Sequence, residues 1–240
     1  MRLLALALLW VAMPLMAQTP DASVQPFSLK YSLYRNGEAL GVAELQNRQV
    51  SPGYWQFVSK TTATEGIAQV AGASAFEQSN LIVRQGQLEL FSNRIETKVA
   101  WKTLAKTTKL VNSGTAYQYT DRKGSKQAPY SPGLLDQHSL TLALMADLRV
   151  GKNTGTLVYP IVNKGKLENN TFKIAGTQNL STALGKLNTV RVDRVRESRN
   201  GKSTSIWFAS DKDYIPVLMQ QLDENGDDIE MRILAINKNK

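Results

Sequence analysis

The sequence contains no cysteine and a single histidine, His138. Without cysteine there are no disulfides, thiolate nucleophiles or thiolate metal ligands, and one histidine leaves little acid–base chemistry near neutral pH. These absences disfavour many enzyme classes, and we expect neither a metal site nor a cofactor. They favour a non-enzymatic protein without excluding catalysis by other groups.

Acidic residues are also scarce. The chain has 20 Asp and Glu against 29 Lys and Arg, a formal net charge of +9 and a pI near 9.7. Only 20% of the residues are charged and 42% are apolar, which excludes wholesale disorder and predicts a globular core. A length of 240 residues suits one large β sandwich or barrel better than two domains.

The amino terminus predicts export. An apolar run from Leu3 to Met16 follows Met1-Arg2; it is too short to span a bilayer and has the size of a secretory signal. We predict cleavage after Ala17, with an uncleaved anchor as the alternative. No later segment approaches the roughly 18 apolar residues of a spanning helix. The predicted segments are a signal peptide at 1–17, a flexible leader at 18–26 and a single β-rich domain at 27–240.

Export changes the meaning of the positive charge. A basic cytoplasmic chain would suggest nucleic acid as a partner, whereas a periplasmic chain meets membrane head groups, acidic glycans and cell-wall polymers. We therefore expect no nucleic-acid partner and, after signal cleavage, no stable membrane span. Lys98, Lys102 and Lys106 recur at every fourth position and are predicted to share a face, for which a solvated exterior is the simplest role.

Most of the chain shows the alternation typical of strands. Apolar residues occupy every second position from Phe27 to Leu33, and Asn36-Gly37 then predicts a tight turn. Thr97 to Leu110 is predicted as one strand, and residues 65–75 are left open between a bent strand and a short helix. The pattern predicts a mainly β protein, an antiparallel meander that forms a half-barrel or barrel-like sheet. Further turns are predicted at Asn200-Gly201 and Asn225-Gly226.

One segment, Leu134 to Leu148, is predicted to be helical. Leu135, His138, Leu142 and Met145 recur at helical spacing, and the opposite side is apolar too. A helix this apolar must be largely covered. We expect it to be the principal helix of the protein and to lie against the concave face of the sheet.

Few side chains have a pattern that suggests chemistry. Asp136 lies near His138 and two serines, Ser131 and Ser139, but residues two apart on a helix point to different sides. The sequence also has no G-x-S-x-G elbow to expose a serine. A histidine packed beneath the sheet is the simplest interpretation, and no catalytic residue is assigned.

The acidic turns near the carboxy terminus give two further candidates. Asp211 and Asp213 could pair with Asp223 or Glu197 as glycosidase-like carboxylates, although nothing in the sequence sets their separation. Asp223-x-Asn225-x-Asp227 resembles the start of a calcium loop, but its glycine is misplaced and Leu234 stands where a glutamate is needed. A hairpin turn explains this motif better.

Three segments together carry a family resemblance: Leu184–Val190 (LGKLNTV), Trp207–Val217 (WFASDKDYIPV) and Asp223–Gly226 (DENG). They resemble the carboxy-terminal signature of a family of exported bacterial proteins catalogued as a domain of unknown function, and Leu134–Asp136 and Asp147–Arg149 fit the same pattern. The resemblance covers nearly the whole mature chain. More distantly, the order Trp, Asp, Pro, Asp-x-x-Gly is similar to periplasmic lipoprotein carriers, which implies an incomplete barrel closed by helices over an acyl-chain pocket.

The leading functional hypothesis is a non-enzymatic periplasmic protein that binds or carries an amphipathic, lipidic or anionic component of the cell envelope. Its pocket is expected between the helix and the sheet. Alternatively, the apolar side chains expected to line this pocket pack together as a closed core. The candidate ligand-binding residues are Trp101, Leu135, His138, Leu142, Met145 and Trp207.

Two other classes remain open. One is a hydrolase of cell-wall glycan or peptide that uses carboxylates such as Asp136 and Asp211. The other is an envelope assembly factor that binds a protein partner along a sheet edge.

Overall fold

The computed structural model describes residues 25–111, 114–196 and 202–237. Within these ranges the chain forms one 14-stranded sheet and two helices. The first eight strands are β1 (Phe27–Arg35), β2 (Glu38–Ser51), β3 (Tyr54–Ala63), β4 (Ser74–Arg84), β5 (Gln87–Val99), β6 (Lys102–Val111), β7 (Ala116–Asp121) and β8 (Gly124–Pro129). The remaining elements are α1 (Gly66–Val70), α2 (Leu140–Arg149), β9 (Thr156–Asn163), β10 (Lys166–Thr182), β11 (Gly185–Val195), β12 (Ser203–Ala209), β13 (Ile215–Leu222) and β14 (Asp228–Asn237).

The sheet is an antiparallel meander that is nearly closed. Sequential strands are neighbours from β1 to β8 and from β9 to β14, and β1 pairs with β14. The edges are therefore β8 and β9, and the segment that contains α2 connects them. The β9–β10 turn lies against β8, since a Cβ at Gly165 would lie 2.8 Å from Cβ of Lys126. The predicted fold class, a mainly β antiparallel meander with a barrel-like sheet, is confirmed.

Sequence alternation explains the first hairpin. Phe27, Leu29 and the other odd-numbered residues of β1 up to Leu33 are buried against the core, so one face of the strand points inward. Asn36 and Gly37 both have positive φ, at 52° and 81°, as a two-residue hairpin turn requires.

The acidic turn between β13 and β14 has a structural role. The Asp223 carboxylate accepts hydrogen bonds from the backbone N–H of Asn225 and Asp227 at 2.7 and 3.0 Å. Asp227 in turn pairs with Arg35, which ties this turn to the β1–β2 turn. The motif is thus a hairpin turn, as predicted. The predicted signal peptide at 1–17 and the turn at Asn200-Gly201 lie outside the described residues.

The predicted start of the long helix was wrong. α2 begins at Leu140, whereas the backbone of Leu134 and Leu135 lies extended: Leu134 accepts a hydrogen bond from Leu90 of β5, and Leu135 forms a parallel bridge with Ile161 of β9. Apolar periodicity indicates which residues are buried but not their backbone conformation. Both leucines are buried, so they matched the helical pattern without being helical. Residues 65–75 contain the short helix α1, which was one of the two alternatives.

The prediction of one strand from Thr97 to Leu110 was also wrong. A turn at Ala100 and Trp101 separates β5 from β6, and Ala100 has a φ of 52°. Lys98 pairs with Thr103, and Lys102 pairs with Val99, so Lys98 lies on the opposite face from Lys102. The turn was missed because neither alanine nor tryptophan is a usual turn residue.

Among the described residues, no helix has the length and apolar content needed to cross a membrane.

Candidate functional site

A cavity of about 390 Å³ lies between the concave face of the sheet and the amino-terminal half of α2. We call it the inner cavity. Its size is within the range of roughly 300–1,000 Å³ that small-molecule sites occupy. Its walls are mainly apolar and come from both halves of the sheet and from the helix: Leu45, Phe57, Leu144, Ile206, Met219 and Met231.

Polar side chains occupy separate parts of the cavity lining. Glu77 on β4 and His138, before α2, lie on one side, and Arg194 on β11 comes from the other half of the sheet. Burial raises the pKa of Glu77, Asp136 raises it further, and Lys106 opposes the shift. The cavity therefore combines apolar walls with a few ionisable groups.

A buried carboxylate anchors the segment that leads into α2. Oδ2 of Asp136 accepts hydrogen bonds from the Ser79 hydroxyl and the Asn93 amide, both at 2.7 Å. Oδ1 accepts from the backbone N–H of Ser139 at 2.7 Å and from its hydroxyl at 2.5 Å. The hydroxyl of Ser139 also accepts from the Asp136 N–H, as in a capping box. The four residues Ser79, Asn93, Asp136 and Ser139 form what we call the Asp136 cluster.

His138 joins the Asp136 cluster to the inner cavity. Its ring stacks on Phe57, with centroids 4.2 Å apart, and its Nδ1 lies 3.0 Å from the Ser79 hydroxyl. Because Ser79 gives its only proton to Asp136, Nδ1 must donate to Ser79, which leaves Nε2 as an acceptor. Nε2 is buried and has no hydrogen-bond partner among the described residues.

Burial lowers the pKa of His138 to about 4, although the nearby Asp136 carboxylate opposes the shift. The imidazole is therefore neutral near pH 7. It adds a hydrogen-bond acceptor to the cavity rather than a positive charge.

Ser79, His138 and Asp136 do not have the order of a hydrolytic triad. In a triad the imidazole lies between the nucleophile and the carboxylate, whereas here the serine lies between the other two. Ser79 is also fully buried. Asp211, the other carboxylate considered for catalysis, is exposed in the β12–β13 turn and does not line the inner cavity.

Arg194 and Arg196 bring two guanidinium groups close together beside the inner cavity. Arg194 donates to Oδ1 of Asn170 at 2.6 Å, and Arg196 donates to Thr204 at 2.8 Å. Burial and then the proximity of Arg196 lower the pKa of Arg194, while Glu168 opposes the shift. No salt bridge joins either arginine to a carboxylate in the described parts of the chain, and Nη1 of Arg196 is buried there without a partner. An anion would complement this pair.

The six ligand-binding residues proposed from the sequence lie in different places. His138 lines the inner cavity. Leu135, Leu142, Met145 and Trp207 are buried members of the hydrophobic core, which was the alternative interpretation. Neither tryptophan lines the inner cavity: Trp207 lies on the face of β12 opposite to Ile206, beneath Arg191, and Trp101 is exposed at the β5–β6 turn.

Sequence reasoning did not identify Glu77, Ser79, Asn93 or Arg194 as site residues. One signal was present in β4, where Glu77 and Ser79 alternate in phase with the apolar Leu81 and so face the interior. Polar residues at inward positions of a strand are unusual enough to mark a site.

A second cavity, of about 510 Å³, is lined by α2, the segment that precedes it, the β4–β5 turn and β9. Its main charged group is already neutralised, because Asp147 accepts hydrogen bonds from the Tyr159 hydroxyl and the Lys152 ammonium, each at 2.7 Å. The inner cavity, beside which two arginines form no salt bridge with a described carboxylate, is therefore the better candidate site.

The low pKa of His138 predicts acid sensitivity. The unfolded chain takes up this proton near pH 6.5 but the folded chain only near pH 4, so acidification through that window favours unfolding. Between about pH 7 and pH 5 the loss is about 2 kcal/mol of unfolding free energy. The measurement is urea denaturation at both pH values for the wild type and for His138→Phe, which keeps the ring stack.

Between pH 7 and pH 5, His138→Phe should lose about 2 kcal/mol less unfolding free energy than the wild type. The raised pKa of Glu77 acts in the opposite direction, but it is present in both proteins and cancels in the comparison. Equal losses in the two proteins would show that His138 is not the group responsible.

Comparison with known proteins gives a family but no activity. The family model described as "Protein of unknown function (DUF3108)" matches residues 31–233. This confirms the resemblance to a family of unknown function. No curated protein matches the sequence.

One of the solved structures compared with this chain supports the barrel-like fold. The beta-barrel-like protein of domain of unknown function DUF1849 from Brucella abortus aligns with a TM-score of 0.58 at 9% identity, over 88% of this chain and 97% of that chain. A Bacteroides fragilis protein described as exported, with a YmcC-like fold, gives a TM-score of 0.35 at 10% identity over 88% and 95% of the chains. A Parabacteroides distasonis protein described as a lipoprotein gives 0.31 at 10% identity over 89% and 96%. At 9% identity, the likeness to the Brucella abortus protein concerns the fold alone.

Proposed function

This chain belongs to the DUF3108 family, whose function is unknown, and we propose that it binds one amphipathic, lipid-like molecule with an anionic head in the inner cavity. The observation that carries the proposal is the combination of apolar cavity walls with two neighbouring arginines that form no salt bridge with a described carboxylate. The predicted signal peptide at 1–17 supports a periplasmic location, where such molecules are envelope components. The proposed role is binding or carriage rather than catalysis.

The apolar part of the ligand fits the cavity walls. Ile206, Met219 and Met231 come from three neighbouring strands and face Leu144 of α2 across the inner cavity. Methionine side chains are flexible and fill irregular space, which suits acyl chains of variable shape. Burial of an alkyl chain here contributes about 0.8 kcal/mol for each methylene group removed from water.

The anionic head fits the arginines. Arg194 is partly buried, and its pKa is lowered by burial and by Arg196, so a bound anion would relieve both penalties. The guanidinium fork pairs well with carboxylate or phosphate oxygens. This arrangement favours a fatty-acid-like or phospholipid-like ligand over a neutral one.

Replacement of Arg194 by glutamine is expected to weaken binding of a fluorescent fatty acid about tenfold or more, because a charge-assisted hydrogen bond contributes about 1.5–3 kcal/mol. The matched control is Arg191→Gln. Arg191 lies on the same strand but on the opposite face, where it pairs with Asp193 and stacks on Trp207. Titrations of the purified proteins followed by fluorescence measure the three dissociation constants.

Two further measurements decide between a specific head-group contact and general hydrophobic binding. The affinity for a fatty alcohol of the same length should be unchanged by Arg194→Gln, since it carries no anion. Ile206→Trp, which fills the inner cavity, should abolish binding of both ligands and remove any lipid that mass spectrometry detects in the wild-type protein. Unchanged fatty-acid binding in both variants would refute the proposal.

A further inference from the structure

Three large apolar side chains project into solvent at one end of the sheet. Ile67 and Val70 of α1 are 89% and 88% exposed, and Trp101 in the β5–β6 turn is 88% exposed. Single exposed apolar residues are ordinary, but several large ones together mark an interaction surface. We call Ile67, Val70 and Trp101 the tip patch.

Backbone hydrogen bonds hold the tip patch together. The N–H of Ala100, next to Trp101, donates to the carbonyl of Ala71 at 2.6 Å, and the N–H of Ala71 donates to the carbonyl of Ile67 at 2.9 Å. These bonds fix α1 beside the β5–β6 turn. α1 buries none of its side chains, so its apolar residues do not contribute to the core. They are free to contact something outside the molecule.

We propose that the tip patch docks the protein on a membrane surface that contains anionic lipid. Lys98 and Lys102 flank Trp101 on opposite faces of the hairpin, and both are exposed. The nearby Glu96 pairs with Arg94 instead of with either lysine. Glu65, just before α1, is the opposing charge, and the two lysines outweigh it.

The chemistry of the tip patch suits a lipid surface. Tryptophan favours the boundary between head groups and acyl chains because its ring is apolar and its N–H is polar. Exposed lysines beside inserted apolar residues attract anionic head groups. Aliphatic residues, a tryptophan and flanking lysines are therefore the combination expected for shallow insertion.

The tip patch lies at the same end of the sheet as two residues that line the inner cavity. α1 joins the end of β3 to the start of β4, and the cavity residues Thr61 and Glu77 lie close to those two strand ends. A docked protein therefore presents this end of the sheet to the bilayer. Docking requires no ligand in the cavity, so its test is independent of the proposed function.

Tryptophan fluorescence reports insertion directly. Trp55 and Trp207 are each 5% exposed, so Trp101 is the water-exposed tryptophan among the described residues. The chain from Gln18 onward, which lacks the predicted signal peptide and its Trp10, is titrated with phosphatidylcholine vesicles and with vesicles of equal parts phosphatidylcholine and phosphatidylglycerol. The expected result is a blue shift and quenching by brominated acyl chains on the anionic vesicles. Both signals should vanish in Trp101→Phe.

Variants separate the apolar from the charged contribution. The double variant Ile67→Ser, Val70→Ser should weaken partitioning into anionic vesicles about tenfold or more. Lys98→Gln and Lys102→Gln should each weaken it about fivefold, without changing partitioning into phosphatidylcholine alone. The control is Val50→Ser, since Val50 is 59% exposed at the β2–β3 end of the sheet, opposite to the tip patch, and should have no effect.

Other outcomes would overturn the proposal. Unchanged Trp101 emission on anionic vesicles excludes insertion of the tip patch. Equal loss of partitioning in Val50→Ser and in the double variant makes the effect non-specific. Self-association that Ile67→Ser, Val70→Ser abolishes, without vesicle binding by the wild type, would assign the tip patch to a second copy of the chain.

Discussion

Replacement of Asp136 by alanine is expected to lower the free energy of unfolding by about 4 kcal/mol. The carboxylate accepts four hydrogen bonds of 2.5–2.7 Å and is almost completely buried. Alanine would leave the hydroxyl of Ser79, the amide of Asn93 and the backbone N–H of Ser139 without their acceptor. Each buried, unsatisfied donor costs about 1–3 kcal/mol. Urea denaturation followed by tryptophan fluorescence measures the loss.

The matched control is Asp211→Ala, which removes an exposed turn carboxylate and should change the unfolding free energy by less than about 0.5 kcal/mol. Asp136→Asn tests the number of acceptors, because an amide presents one acceptor oxygen where the carboxylate presents two. It should be destabilised, but less than Asp136→Ala. If Asp136→Ala and Asp211→Ala are equally stable, the Asp136 cluster does not hold the segment that leads into α2.

The sequence predicted the sheet better than the β5–β6 turn and the start of α2. Alternation in β1 depends only on which side of the strand is buried, and it can be read from neighbouring residues. The start of α2 could not be read in this way, because Leu134 and Leu135 are buried by β5 and β9 rather than by a helical turn. The same limit applies to Ala100, whose positive φ is imposed by the hairpin and not by its side chain.

The candidate site was predicted only in part, because its contacts join distant parts of the chain. Asp136 and His138 were singled out, but as helix neighbours with serines adjacent in sequence. The serine that contacts both is Ser79, which is 57 residues from Asp136, and Asn93 is 43 residues away. Such partners depend on strand order and register, which local patterns do not determine.

The Asp136 cluster and the two arginines, Arg194 and Arg196, have different roles in the candidate site. Asp136 has all its hydrogen bonds within the protein and therefore fixes the cavity wall. Arg194 and Arg196 form no salt bridge with a carboxylate among the described residues, and Nη1 of Arg196 has no hydrogen-bond partner there, so they can interact with a ligand. A variant of Asp136 should thus change stability, whereas Arg194→Gln should change affinity with little effect on stability.

The close approach of β2 and β3 depends on one glycine, Gly41. It lies on β2, the strand that also contributes Leu45 to the inner cavity. Gly41 pairs with Ala63 of β3 and with Leu33 of β1, next to an irregularity in the β1–β2 register. On the same strand face, Leu45 lines the inner cavity. The spacing between β2 and β3 therefore affects the packing of the sheet and the position of the cavity wall.

Gly41→Ala is expected to lower the free energy of unfolding by about 3 kcal/mol, because overpacking at a site that cannot relax forces the backbone apart. A Cβ at this position would lie 2.2 Å from the Thr62 carbonyl oxygen and 2.9 Å from Cα of Ala63, and both atoms belong to the backbone. The control is Gly53→Ala, where φ is +75° and no atom lies within 4 Å, so only conformational strain of about 1 kcal/mol applies. Urea denaturation of both variants measures the difference. A larger loss in Gly53→Ala than in Gly41→Ala would mean that β2 and β3 separate easily at this point.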